Sequence, residues 1–299
     1  MNKRNVFPIL AILNGSVIAI MINFNKELAE ASGLMFSIVV IHLVGGLLAT
    51  SIILILRPKI IERPHPLLRV GGLFGVALVF MNTLCFQNIG ASLTLATVVL
   101  GQSITAFIAD TTGFLGVKTY KFDRKKLIGF LISLSGIIIM ASRGSFELLY
   151  IVLAFISGGI TITQMIINAR LASKIGLLRA TRNNFTVAII LSIVLCILLS
   201  VPLKESFSSL PEIPLLIVIG GGSLGVIAVF MCNWIIPKIP TVYSTLLQFS
   251  GQIIAAIILD AIRYGEVPLN QIIGILFILL GMYWNIRIDR IAQANGSDR

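Results

Sequence analysis

Gln102 and Gln252 stand near the middle of two long apolar stretches, at the same place in two matching motifs. These are Gly101-Gln102-x-Ile104-x-Ala106-x-Ile108-x-Asp110 and Gly251-Gln252-x-Ile254-x-Ala256-x-Ile258-x-Asp260. A carboxamide offers two donors and an acceptor without charge, and a polar group inside an apolar span is costly enough to be functional by default. Two such amides can read a polar solute, or can hydrogen-bond one helix to another. Asp110 and Asp260 follow their glutamines by eight residues, about 80° further round a helix. They are candidates for gating or for coupling to a proton or cation. The alternative is an end-of-helix carboxylate near the lipid headgroups, paired with Lys118 or Arg263.

His42 is the only histidine in a span. It is either a packed, hydrogen-bonded side chain or an ion-coupling group, since imidazole titrates near neutrality. Its counterpart in the second half is Phe185, which sets it outside a symmetric site. Asn82, Asn14 and Gln164 are further candidates for lining a substrate cavity. Asn25 and Asn168 recur in both halves but at span ends, where capping is the simpler expectation.

No catalytic or cofactor chemistry is expected. There is no G-x-x-x-x-G-K-[ST] loop for ATP and no His/Cys/Glu cluster with metal-ligand spacing. The histidines are His42 and His65 alone. Cys85, Cys196 and Cys232 lie scattered in apolar segments and read as packing residues.

These residues sit in a chain of 299 residues that is 57% hydrophobic and 12% charged, with a mean hydropathy of +1.01. Soluble domains carry roughly 25% charged residues, so this is an integral membrane protein. The net charge of +11 does not point to nucleic acid, because the basic residues fall between apolar stretches and not along one face. Crossing a bilayer takes roughly 20 apolar residues. Ten segments are expected to do so: 6–24, 34–56, 70–88, 92–115, 127–142, 148–167, 184–201, 214–236, 240–262 and 269–287. They must be helices, because open strands leave backbone groups unsatisfied in lipid.

With the N-terminus in the cytoplasm, nineteen Lys and Arg fall on the cytoplasmic side and four, Lys26, Arg143, Lys204 and Arg263, on the other. The positive-inside rule therefore places both termini in the cytoplasm. Lys3-Arg4 before an apolar run resembles a secretory signal, but the segment recurs as part of a repeat and is expected to be a retained first span.

The chain repeats itself. Gly71-Gly72-Leu73-Phe74-Gly75-Val76-Ala77-Leu78-Val79-Phe80-Met81 aligns with Gly221-Gly222-Ser223-Leu224-Gly225-Val226-Ile227-Ala228-Val229-Phe230-Met231 at an offset of 150 residues, identical at seven of eleven positions. Further upstream, Asn25-x-x-Leu28-Ala29-x-x-x-Gly33 matches Asn168-x-x-Leu171-Ala172-x-x-x-Gly176. Residues 1–145 and 146–291 are read as two five-helix repeats, followed by a short cytoplasmic tail, 292–299. Five is odd, so the second copy enters the membrane inverted, as in transporters whose binding site lies where the repeats meet. The recurring glycines give small helix faces for close packing.

The stretch Gly90-Ala91-x-Leu93-Thr94-Leu95-Ala96-x-Val98-Val99-x-Gly101-Gln102-x-Ile104-x-Ala106-x-x-x-Asp110 resembles the signature of the YdcZ-type family. Ile41-His42-Leu43-Val44-Gly45-Gly46 is similar to a segment where that family commonly has Ser-Phe-Leu-Val-Gly-Thr. The family belongs to the drug/metabolite transporter superfamily, typically as single five-span units, and this chain resembles two units fused. The second half departs from the pattern between Pro237 and Gln248. The resemblance implies a ten-helix, EamA-like fold with a central cavity.

The expected function is a secondary transporter that exports a small metabolite or amphipathic compound by alternating access. Gln102 and Gln252 would bind it; the expected partners are that solute and membrane lipid, with no nucleic acid. A lipid flippase and a non-transporting scaffold or sensor are the competing readings.

Overall fold

The computed structural model describes residues 6–58, 62–116, 119, 124–141, 147–239, 241–264 and 269–294. Outside them lie Lys3, Arg4, Lys59, Lys118, Lys121, Arg143, the repeat boundary at 143–146 and the end of the tail, and the side chains of Asp260 and Arg263 are likewise not described.

Eleven α-helices account for the described residues. They are α1 (Val6–Ser32), α2 (Leu34–Leu56), α3 (Gly71–Ile89), α4 (Ala91–Thr112), α5 (Lys126–Ala141), α6 (Leu148–Ile175), α7 (Leu177–Leu198), α8 (Leu203–Ser209), α9 (Leu215–Ile235), α10 (Thr241–Tyr264) and α11 (Leu269–Ala294). Each expected span overlaps one helix. The eleventh is α8, a seven-residue helix in the connection before α9. Among the described residues, seven helices are long and apolar enough to cross a membrane by length and composition.

α1 and α6 run about two turns past the expected limits. Helix-forming residues such as Lys26, Glu27, Leu28 and Ala29 carry α1 onward, and both helices stop only at a glycine. Gly33 and Gly176 each have φ 86° with ψ 145° and 154°, a conformation essentially reserved for glycine. The same hairpin-like junction thus joins α1 to α2 and α6 to α7. Asn25 and Asn168 consequently lie inside helices and cap nothing, which corrects the expectation from sequence.

The two halves interlock. α1 packs on α9 and α10, and α2 on α7 and α9, while α6 packs on α3 and α4, and α7 on α3. Glycines permit this. A methyl at Gly15 of α1 would overlap the Gln248 carbonyl of α10, and one at Gly251 would overlap Ile12 O. The counterpart contact repeats it: Gly158 of α6 abuts Val98 O of α4, and Gly101 abuts Phe155 O. Without hydrophobic drive between helices in lipid, such backbone approach supplies the packing. α5 and α11 pair at the periphery by the same device, Gly136 lying 2.5 Å, as a hypothetical Cβ, from Gly274 O. Outward positions are apolar and exposed, Leu131, Ile138, Leu276 and Leu280 among them, as lipid contact requires.

Candidate functional site

A cavity of about 160 Å³ lies between α1, α2, α3 and α4 of the first half and α6, α7, α9 and α10 of the second. Its lining follows the repeat. Every described lining residue except Phe86 has its counterpart in the lining, at an offset of 143 for α1–α2 against α6–α7 and 150 for α3–α4 against α9–α10. Gln102 answers Gln252, Asn25 answers Asn168, and Gly75 answers Gly225.

Other pairs match in position but not in chemistry. Where the first half places Ile18, Met21, Ile41, Leu95 and Val98, the second places Thr161, Gln164, Asn184, Thr245 and Gln248. The first half's share of the lining is largely apolar and the second half's is rich in carboxamides. Among the described lining residues there is no Asp, Glu, Lys or Arg.

Gln102 and Gln252 are buried, 7% and 3% exposed. Among the described residues neither side chain has a hydrogen-bond partner, although both line the cavity. Their neighbours are committed elsewhere. Gln248 Nε2 donates to Ser244 Oγ at 3.0 Å, and its Oε1 accepts from Asn14 Nδ2 at 3.2 Å. Asn14 also reaches Cys232 Sγ at 3.1 Å. It is fully buried but stands behind the wall, holding Gln248, and does not line the cavity. Asn82 lines it and accepts from Ser157 Oγ at 2.5 Å.

Gln164 belongs to a cluster that sequence inspection missed. Its Nε2 donates to Gly71 O at 3.0 Å and to Asn184 Oδ1 at 3.1 Å, and Asn168 Nδ2 donates to the same Oδ1 at 3.0 Å. Asn168 Oδ1 rests on the Cα of Gly71, and Asn25 Oδ1 on that of Gly221. Among the described residues neither oxygen has a conventional donor; a recurring Cα–H···O contact accounts for both. Asn184 was hidden because α7 begins at Leu177, seven residues ahead of the expected start. Gln248 and Asn233 gave no repeat signal, since their counterparts are Val98 and Thr83; the signal available was Gln248 one turn before Gln252.

His42 is buried and lines the cavity. Its Nδ1 donates to Ile38 O at 2.8 Å, so in the uncharged ring Nε2 is an acceptor. Its ring centroid is 6.0 Å from that of Phe185. The unlike counterparts therefore meet inside the symmetric site, contrary to the expectation that His42 stands apart from it. Asp110 is buried near the end of α4 but is not among the cavity-lining residues. The backbone of Asp260 lies at the equivalent place in α10. Among the described residues no group of three His, Cys, Asp or Glu could hold a metal ion.

A family model described as "Putative inner membrane exporter, YdcZ" matches twice, over residues 6–139 and 149–284. A solved crystal structure 16% identical in sequence has the same fold, with a TM-score of 0.63 over 97% of this chain and 98% of that one. No curated protein matches the chain. With an apolar helical body, two family units filling the chain and a cavity between them, the protein is a multi-pass membrane protein that belongs to the YdcZ family of the drug/metabolite transporter superfamily.

Proposed function

We propose that this protein is a secondary transporter of a small solute, exporting it across the cytoplasmic membrane by alternating access. Ten helices, all but α8, would span the bilayer as two inverted five-helix repeats with both termini in the cytoplasm. The observation that carries the reading is the cavity lined by equivalent positions of both halves, with Gln102 and Gln252 buried in it and without hydrogen-bond partners among the described residues. Inverted-repeat transporters bind substrate at such a junction and expose it alternately by rocking one repeat against the other.

Orientation is supported by the basic residues gathered at one end of the bundle. There Lys174 pairs with Glu62 at 2.6 Å, Arg179 donates to Pro58 O at 2.7 Å, and Arg170 donates to Leu115 O at 2.5 Å. Gln102 and Gln252 would hold the solute, Asn82 and Gln164 would complete its shell, and Asn14 would support it from behind. Asp110 stands away from the cavity lining, so a gating or coupling role for it would act through helix movement, and Asp260 would share that role as its counterpart in the repeat. His42 faces the solute and is the group placed for proton coupling. The reading needs no enzymatic step.

The test is counterflow in proteoliposomes, with wild type compared with the Gln102→Ala and Gln252→Ala variants. Accumulation of labelled solute by wild type and its loss in both variants is expected. Equal accumulation in all three would remove the glutamines from the site, and none in any would favour a scaffold.

A further inference from the structure

The cavity's chemistry narrows its ligand, on the reading of that cavity as the substrate site. Its size sets the first bound. An engineered 150 Å³ protein cavity holds one benzene, so about 160 Å³ admits a single small ring or a compact chain of similar bulk. Charge sets the second. The described lining residues include no Asp, Glu, Lys or Arg, and His42 is the one among them that can carry a positive charge; an ion moved from water into such surroundings loses hydration that neutral dipoles replace only in part. Shape of polarity sets the third. Ile18, Met21, Ile22 and Leu95 gather in one apolar cluster at a cavity that Gln164, Asn184 and Gln248 also line.

The available hydrogen-bond groups set the fourth. Gln248 is spent on Ser244 and Asn14, and Gln164 Nε2 on Gly71 and Asn184. Gln102 and Gln252 keep whole carboxamides uncommitted among the described residues. The edge of a carboxamide carries a donor beside an acceptor, and its complement is another donor–acceptor edge, the geometry by which Gln and Asn pair with a nucleobase. A flat ring with an amide edge satisfies all four bounds, whereas a hydrocarbon leaves two buried amides unpaired.

We infer that the cavity binds an uncharged ring of single-nucleobase or lactam size, gripped by its amide edge between Gln102 and Gln252 with its apolar face against the cluster of Ile18, Met21, Ile22 and Leu95.

The experiment uses the purified full chain in detergent with 2-pyridone and uracil as neutral amide probes. Benzoate, benzylammonium and toluene serve as anionic, cationic and apolar probes of similar bulk. A bound ligand raises the melting temperature by mass action. Stabilisation by 2-pyridone or uracil, absent with the other three, is expected. In Gln102→Ala and Gln252→Ala the concentration needed should rise on the order of tenfold, the loss of one well-formed hydrogen bond. Gln252→Asn, which retains the amide, guards against loss of fold, and Gln252→Glu should turn preference toward benzylammonium. Stabilisation by benzoate or benzylammonium in wild type, by toluene as strongly as by 2-pyridone, or by no probe would each overturn the inference. Counterflow separates it from the transport reading. Binding of 2-pyridone without counterflow keeps the ligand class and sinks transport. Glutamine-dependent counterflow of a charged probe does the reverse.

Discussion

His42 and Phe185 occupy the same position in the two halves and meet at the cavity, their ring centroids 6.0 Å apart and their planes inclined at 54°. Each also leans on the equivalent glycine. A Cβ built on Gly75 would lie 3.6 Å from His42 Nε2, and one on Gly225 3.3 Å from Phe185 Cζ. Two residues related by an approximate two-fold axis can touch only if they lie close to that axis. The pair therefore lies close to the approximate axis that relates the halves, and the exchange of phenyl for imidazole breaks the symmetry there. Phe185 is 3% exposed and belongs to a small core with Ala49 and Val226. Replacing it with Ala should cost about 3–5 kcal/mol through the hole it leaves, whereas His42→Phe, which restores like rings, should leave the melting temperature nearly unchanged. Thermal unfolding in detergent measures both.

Gln102 and Gln252 should contribute little to stability. If they were interhelical ties, their removal would strand a partner and cost about 1–3 kcal/mol. Since neither has a protein partner among the described residues, Gln102→Leu and Gln252→Leu should melt within about 0.5 kcal/mol of wild type while ligand-induced stabilisation needs on the order of tenfold more ligand or is lost. A large fall in melting temperature in both would assign them a structural role.

The Asn168–Asn184–Gln164 cluster makes the opposite prediction. Asn184 Oδ1 accepts from both neighbours, so Asn184→Val leaves two buried donors short of an acceptor. A loss of about 2 kcal/mol is expected. Ile41→Val at the equivalent position, where no such cluster exists, should cost about 1 kcal/mol. Equal losses at the two sites would show that the hydrogen bonds hold nothing.

Helix approach gives a graded glycine series. Gly158→Ala and Gly15→Ala each drive a methyl into a carbonyl oxygen of the neighbouring helix, and each should cost about 1–3 kcal/mol as an overpacked contact. At Gly159 the first atom met is Thr105 Oγ1, at 3.0 Å, a side-chain end that can turn aside. Gly159→Ala should therefore be tolerated. The ordering in melting temperature, and a parallel ordering in counterflow, checks the set; a Gly159 variant as damaged as the other two would refute it.

Repeat, class and helix placement were legible in the residues themselves. Apolar length marks a bilayer span whatever its neighbours, and a duplicated motif shows which positions are equivalent before any fold is known. Gln102 and Gln252 were identifiable in that way, because a polar residue repeated at mid-span has few explanations. Which face each helix turns inward was not legible. In water an amphipathic stripe reveals the buried face, but lipid and protein interior are both apolar, and the stripe vanishes. Only the glycine-to-carbonyl contacts of α1 with α10 and α4 with α6 decide the rotation. That rotation brings Gln102 to the cavity and leaves Asp110 off its wall, sets Asn14 behind Gln248, and buries Asn25 and Asn168 against glycines of other helices. It also places His42 opposite Phe185, since meeting on an axis is a property of two packed halves and of neither half alone.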